Sequence, residues 1–388
     1  MQNQYKICVY AICKNEEQFV DRWMDSMSEA DLVVVTDTGS TDGTVEKLRE
    51  RGAVVFQEVI KPWRFDKARN ISLDHVPEDV DICICTDLDE VLEPGWRKCL
   101  EAVWEKDTDM GNYLYNWSLD AQGRPYVQIV YFKVHARKKY IWDYPVHECL
   151  RYLGTTKEKK VFVADMVLNH YPDHKKSRGS YIGLLEMGTA ERPDDPRMSY
   201  YLGREYMFKR DWDACISELQ RYLGLPAARW AEERCAAMRW IAKAYAEKKK
   251  FTEAFQWFHR AVAEVPQMRD AYVECANLAY VRSDWETCFY MTEKALKIKE
   301  KSRSFTNAGH AWDYTPHDLA AIACFRLGMY ERAEKHAEEA VRMAPEKERL
   351  KDNLSKIRDK KRETVNQILL AEFDKRPEEV ERFYRTKR

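Results

Sequence analysis

The chain has 388 residues, 45% of them hydrophobic and 33% charged, which allows two domains with separate cores and excludes a long disordered region. Its 64 basic and 65 acidic side chains leave a formal net charge of −1, so no global field draws it to nucleic acid or to an anionic membrane. No basic-then-apolar leader opens the chain and no apolar run is long enough for a membrane span. With eleven cysteines set mostly in apolar patterns and no recurring CxxC pair, these features predict buried, reduced thiols and a cytoplasmic protein.

In chain order, the apolar runs Ile7–Ala11, Leu32–Val35, Val54–Phe56 and Ile82–Cys85 are continuous, as strands buried on both faces are, and predict a parallel sheet. Between the first two, Asn15 is placed to cap a helix with Gln18 at its third position, and Phe19, Trp23 and Met27 follow at four-residue spacing. Thr44–Arg51 is a second helix closed by Gly52, and a helical turn covers Asp66–Leu73. This β-α-β-α-β order is that of a doubly wound nucleotide-binding sheet, whose ligands lie beyond the carboxyl ends of the strands. A hairpin, Tyr113–Leu119 and Tyr126–Val134 turning at Asp120–Arg124, and a strand Val161–Leu168 complete this half.

The motifs fall at those strand ends. Thr36-Asp37-Thr38-Gly39-Ser40-Thr41-Asp42-Gly43-Thr44 follows the second strand; a carboxylate there can accept from the imide N–H of a uracil-like base, and the glycines permit a tight turn with free backbone N–H groups. Read alone, the string is also a helix-capping turn. Asp87-Leu88-Asp89-Glu90 ends the fourth strand, where one carboxylate can reach a ribose and the other bind a divalent cation. A nucleotide diphosphate needs such a cation, because it departs with extra negative charge. Arg69, on the helical turn between the motifs, can reach base or phosphate, and Asn70 can fix the turn.

Beyond Pro196 the composition shifts to Ala, Glu, Lys, Arg and aromatics at helical spacing. With Gly203, Ala242, Ala276 and Ala321 as one register position, later positions read Cys215, Ala254, Cys288, Ala333 and then Tyr222, Ala261, Ala295, Ala340. All but Tyr222 are small, as close helix packing requires. Spacings of 39, 34 and 45 residues predict tetratricopeptide units with two insertions. The longer insertion, Lys299 to Pro316, carries His310, Trp312, Asp313 and Tyr314 and reads as a loop or as a gripping element. Charged helices from Glu346 to Arg388 read as a solvated cap or a dimer contact.

On these motifs, residues 6 to about 175 resemble glycosyltransferase family 2, which has the α/β GT-A fold, a Rossmann-like nucleotide-diphospho-sugar transferase architecture. Lys14-Asn15-Glu16-Glu17 is similar to the opening of the branch that includes lipopolysaccharide-core glucosyltransferases and bacteriocin peptide S-glycosyltransferases, the latter with tetratricopeptide tails. The resemblance implies a GT-A domain over 1–190, an all-α tetratricopeptide-type solenoid over 196–345 and a helical tail over 346–388. It implies that Asp37 contacts the base, Arg69 the base or phosphate, Asp87 the ribose side, and Asp89 a Mn2+ or Mg2+ ion, with Ala11 among the donor-binding residues. His170 is placed as a second metal ligand, or as a core or surface histidine; Lys175 and Arg178 clamp the diphosphate, or belong to a solvated linker.

The Glu-Asp pair frequent in this family's active-site helix is not evident. Val146-His147-Glu148 resembles a segment of the lipopolysaccharide-core branch, so the base is Glu148, with Asp143 as alternative, unless Glu148 is purely structural. The expected activity is inverting transfer of a hexose from a nucleotide diphosphate sugar, a UDP-sugar first, to a peptide or protein acceptor. Alternatives are a glycan, lipid-linked saccharide or modified nucleic-acid base as acceptor, and an inactive tetratricopeptide interaction scaffold. Nucleic acid and membrane partners are disfavoured, and a homodimer is compatible with the aromatic-rich array.

Overall fold

The computed structural model describes residues 4–120, 122–173 and 181–375. They divide into two compact units, one running to Arg229 and including Arg303–Phe305, the other comprising Trp230–Ser302 and the chain from Thr306.

The first unit begins with strand β1 (Ile7–Cys13), a 3₁₀ turn (Glu17–Phe19), helix α1 (Val20–Ser26), β2 (Leu32–Asp37), α2 (Thr44–Glu50), β3 (Val54–Gln57), α3 (Phe65–Asp74) and β4 (Ile82–Cys85). It continues with β5 (Glu90–Leu92), α4 (Trp96–Val103), the hairpin β6 (Met110–Leu119) and β7 (Pro125–Ala136), then β8 (Tyr140–Asp143), β9 (Cys149–Tyr152) and β10 (Lys160–His170). Helices α5 (Tyr181–Glu191), α6 (Pro196–Phe208) and α7 (Trp212–Gly224) close it. One eight-stranded sheet has the order β3-β2-β1-β4-β7-β6-β10-β5, and β8 pairs with β9 separately.

The first four strands are parallel, as the apolar runs predict. Ile7, Cys8, Val9 and Tyr10 are fully buried because alternate side chains enter cores on the two faces: Ile7 and Val9 pack with Trp23 and Trp96, Cys8 and Tyr10 with Leu73 and Trp142. Two expectations are corrected. β3 is an edge strand rather than a doubly covered one, with Val54 43% exposed. Asn15 does not cap the following helix; its φ is +56° and its side chain turns to the β2–α2 loop instead. Beyond β4 the sheet is mixed: β7 runs antiparallel to β4, and β6 antiparallel to β7.

Helices α6 and α7, which carry the first repeat register, cluster with the α/β unit. Gly203 on α6 is obligatory there, since a Cβ would lie 2.5 Å from the Leu219 side chain. The second unit holds three antiparallel helix pairs, α8 (Ala231–Glu247) with α9 (Phe251–Glu264), α10 (Arg269–Val281) with α11 (Trp285–Lys297) and α12 (Thr315–Arg326) with α13 (Tyr330–Met343), and then α14 (Glu348–Lys375). The small register residues sit where helices meet: Ala242, Ala254, Ala261, Ala276, Cys288, Ala295 and Ala333 are wholly buried. The insertion before α12 is fixed locally, with Trp312 under the Arg269 guanidinium at 4.1 Å. Among the described residues no helix is long and apolar enough to cross a membrane. All eleven cysteines are free thiols, nine of them buried.

Candidate active site

β1 lies between β2 and β4 and is parallel to both, so the segments after β2 and β4 leave the sheet along one edge. The first is wrapped by the Lys-Asn-Glu-Glu segment. Asn15 Oδ1 accepts from Thr41 N at 2.8 Å and Asn15 N donates to Ser40 Oγ at 2.8 Å. Glu16 N donates to Thr44 Oγ1 at 2.8 Å, and Glu17 Oε2 accepts from Gly43 N at 3.1 Å. The two motifs are thus one latched structure, with Gly39 at φ +110° making the bend.

Asp37 is the keystone of that bend. It is fully buried, Oδ1 accepts from Gly39 N and Ser40 N at 3.1 Å each, and Oδ2 accepts from the Ser40 hydroxyl. In this structure the carboxylate caps its own turn. Ala11 is also fully buried, its carbonyl accepting from Ser72 Oγ at 2.9 Å.

At the end of β4 the geometry is charge-dense. Arg69, 4% exposed on α3, donates from Nη2 to Asp87 Oδ1 at 2.8 Å, from Nε to Glu148 Oε1 at 2.5 Å and from Nη1 to Cys85 Sγ at 3.2 Å. All three of its nitrogens are engaged, and it ties the strand-end carboxylate to the loop carboxylate. Its neighbour Asn70 exchanges two hydrogen bonds with the backbone of Trp142, Nδ2 to O at 2.9 Å and N to Oδ1 at 2.8 Å, locking α3 to β8. The Arg69 guanidinium lies 5.1 Å from the Trp142 ring centroid.

Lys133 is the residue the motif reading missed. β7 pairs Val134 with Ile84 on β4, which carries the preceding lysine to the strand end. Its Nζ stands 3.3 Å from Asp87 Oδ2 and 3.8 Å from Glu90 Oε1. Glu90 in turn accepts from Asp87 N at 2.9 Å and from the Tyr115 hydroxyl at 2.8 Å. Burial favours the neutral carboxyl at Asp87, but Arg69 and Lys133 hold it well below the usual range. At Glu90, burial and the Asp87 charge outweigh Lys133 and raise the carboxyl. The signal in the sequence is Lys133 sharing strand parity with Tyr131 and His135.

The pairing of His170 with Glu90 across β10 and β5 brings His170 Nε2 to 3.5 Å from Asp89 Oδ2. Nδ1 lies 3.1 Å from the Trp117 carbonyl; a carbonyl only accepts, so Nδ1 carries a proton, and although burial lowers the imidazole's proton affinity, Asp89 beside Nε2 raises it above the ordinary value. Asp89 pairs with no lysine or arginine among the described residues, so its charge is open to a cation. Among those residues no third His, Cys, Asp or Glu joins the pair; two protein donors suit an ion that keeps waters or phosphate oxygens.

Asp143 does not join this centre. Its carboxylate is 9% exposed and faces Arg192 at 2.6 Å and Arg151 at 2.9 Å. Burial raises its proton affinity, yet these guanidinia hold it below the usual range. Glu148, 11% exposed, meets Arg69 through Oε1, and its Oε2 takes no hydrogen bond from the described residues. Lys175 and Arg178 lie outside the described residues.

Residues 8–153 match the family model described as Glycosyl transferase family 2. Among solved structures, the chain is similar to MamA at 18% identity, with 46% of this chain and 99% of that one covered and a TM-score of 0.36. Yeast Tom70 is similar at 14% identity over 51% and 39% of the chains, TM-score 0.36. A tetratricopeptide-repeat-containing protein from Cytophaga hutchinsonii is similar at 16% over 43% and 60%, TM-score 0.36.

Proposed function

We propose that this glycosyltransferase, whose residues 8–153 form a family 2 domain, moves a hexose from a nucleotide diphosphate sugar, UDP-sugar first, to a peptide or protein side chain with inversion at the anomeric carbon. The observation that carries the reading is Arg69 joining Asp87 and Glu148 beside the Asp89–His170 pair. One guanidinium sets a candidate base at the strand end where a donor's diphosphate belongs.

Asp89 and His170 would hold Mn2+ or Mg2+, which supplies positive charge against the departing nucleotide diphosphate. Glu148 takes the proton of the acceptor nucleophile through Oε2, while Arg69 keeps the carboxylate oriented. Asp87, fixed by Arg69 and Lys133, presents its remaining open edge, 36% exposed, to the ribose. A peptide acceptor suits the helix-pair array, because stacked pairs offer an extended binding surface. Free thiols suit a reducing, cytoplasmic setting. The intact carboxylates disfavour an inactive scaffold.

The test is turnover by the purified full chain, with Mn2+ or Mg2+, of a panel of UDP-, GDP- and TDP-sugars, read as nucleotide release. One donor is expected to turn over, and Asp89→Ala to lower the rate by about 100-fold or more with the melting temperature retained. Silence across the panel, or full activity in Asp89→Ala, overturns the reading.

A further inference from the structure

We propose that α6, which opens the helical repeat register, is a working part of the catalytic centre, and that Arg197 is the positioning residue for Glu148. The inference rests on the reading of Glu148 as proton acceptor.

The loop before Glu148 does not hold itself. Tyr144 has φ +78° and His147 φ +51°, two non-glycine residues in the left-handed region within four positions, a conformation that persists only where the surroundings impose it. That task falls to α3, where Phe65 N donates to the Pro145 carbonyl at 2.9 Å, and above all to α5 and α6. Arg197 donates from both Nε and Nη2 to the His147 carbonyl, at 3.0 and 2.8 Å. The Tyr201 ring, one turn further along α6, stacks on the His147 imidazole with centroids 4.0 Å apart and planes 16° from parallel. Arg204 Nη2 comes within 3.4 Å of His147 Nε2.

The other left-handed residue is held by the same helix. Tyr144 donates its hydroxyl to Asp195 Oδ2 at 2.7 Å, while Asp195 Oδ1 caps α6 by accepting from Arg197 N at 2.8 Å. Arg192, at the end of α5, grips Asp143 through two nitrogens at 2.9 and 2.6 Å. The helices approach so closely that a Cβ on Gly188 would stand 3.1 Å from Pro145 Cγ and 2.7 Å from Met198 Sδ.

Glu148 therefore sits between two guanidinia: Arg69 holds its carboxylate, and Arg197 holds the carbonyl one residue before it. A misplacement of about an ångström at a proton acceptor is enough to cost a large part of the rate. The family 2 match ends at residue 153, so the clamp is supplied by chain that the matched segment lacks.

The experiment compares the full chain with Arg197→Gln, Arg197→Lys, Tyr201→Leu and a control on the same helix, Tyr206→Phe, whose hydroxyl meets Glu186. Transfer kinetics, nucleotide affinity by calorimetry and backbone hydrogen exchange over residues 143–149 are read together. Arg197→Gln is expected to lower kcat about 10- to 100-fold, leave nucleotide Kd within about twofold and speed exchange in the loop. Arg197→Lys, which keeps one donor, recovers part of kcat; Tyr201→Leu shows the same split in milder form; Tyr206→Phe matches wild type. Wild-type kcat in Arg197→Gln, or equal loss of kcat and nucleotide affinity, overturns the proposal. If Arg197→Gln does not fold, Arg197→Lys and Tyr201→Leu decide by the same criteria. Unchanged exchange over 143–149 overturns the clamp even if the wild-type chain turns over no donor, an outcome that sinks the assigned activity separately.

Discussion

Lys133 is 5% exposed, and a buried ammonium survives only where anions stand close. Burial lowers its proton affinity, but Asp87 and Glu90 carry it well above the ordinary lysine value. Replacing it in Lys133→Met leaves two carboxylates facing each other with Arg69 alone. The expected cost at pH 7.5 is about 3 kcal/mol, toward the low end for a broken buried pair because the half-open Asp87 is screened by water. The sign of the pH effect follows from Glu90. Its folded pKa is raised, so its contribution to stability is full below the unfolded value of about 4.3 and is lost as pH rises through the folded one. Losing Lys133 raises Glu90 further, so the variant's deficit shrinks as pH falls from 7.5 toward 5. Urea midpoints at both pH values check this; an equal deficit at both sinks the charge argument. Arg69, Asp87, Asp89, His170 and Glu148 were legible as motif members, but only the fold could say which touch. Arg69 and Asp37 carry the right residue types for a ligand, yet each spends its hydrogen bonds inside the protein, which a one-dimensional pattern does not distinguish.

At the scale of the element, the repeat is written in the backbone as well as in small side chains. The first helix of every pair ends on a left-handed residue, Arg210, Lys249, Ser283 and Gly328, with the same intervals as the register alanines. Each closes a Schellman motif: Asp211 N to Tyr206 O at 2.9 Å, Lys250 N to Tyr245 O at 2.9 Å, Asp284 N to Ala279 O at 2.9 Å and Met329 N to Cys324 O at 2.8 Å. Only the last position carries the residue that adopts this conformation freely. Lys249→Gly, at an exposed site, is expected to stabilise the second unit by about 0.5–1 kcal/mol, since relief of the left-handed strain exceeds the added chain entropy. Chemical denaturation followed through the tryptophans checks it, and a loss of stability argues against strain at these turns. The alanine register was legible because tight helix packing constrains side-chain volume, and so were the four parallel strands and the hairpin. β5, β8 and β9 were not: at three or four residues they carry too little periodicity to stand out, and their places are set by partners distant in sequence.

For the molecule as a whole, a net charge of −1 leaves recognition of an anionic donor to local charge. Around the end of β4, among the described residues, Asp87, Asp89, Glu90 and Glu148 stand with the cations Arg69 and Lys133 and the imidazole of His170. With Glu90 protonated and His170 neutral, these residues carry one excess negative charge where a diphosphate would have to enter. A nucleotide diphosphate is therefore expected to bind well only with a divalent cation, because like charges in a partly desolvated pocket repel strongly. UDP affinity by calorimetry is expected to fall about 100-fold or more when EDTA replaces Mn2+, and Asp89→Ala to remove that metal dependence. With no long-range field to screen, the association rate should change less than about threefold between 50 and 300 mM salt. Tight UDP binding in EDTA would mean that protein cations, and not a divalent ion, neutralise the diphosphate, and the metal would then lose its place in donor binding.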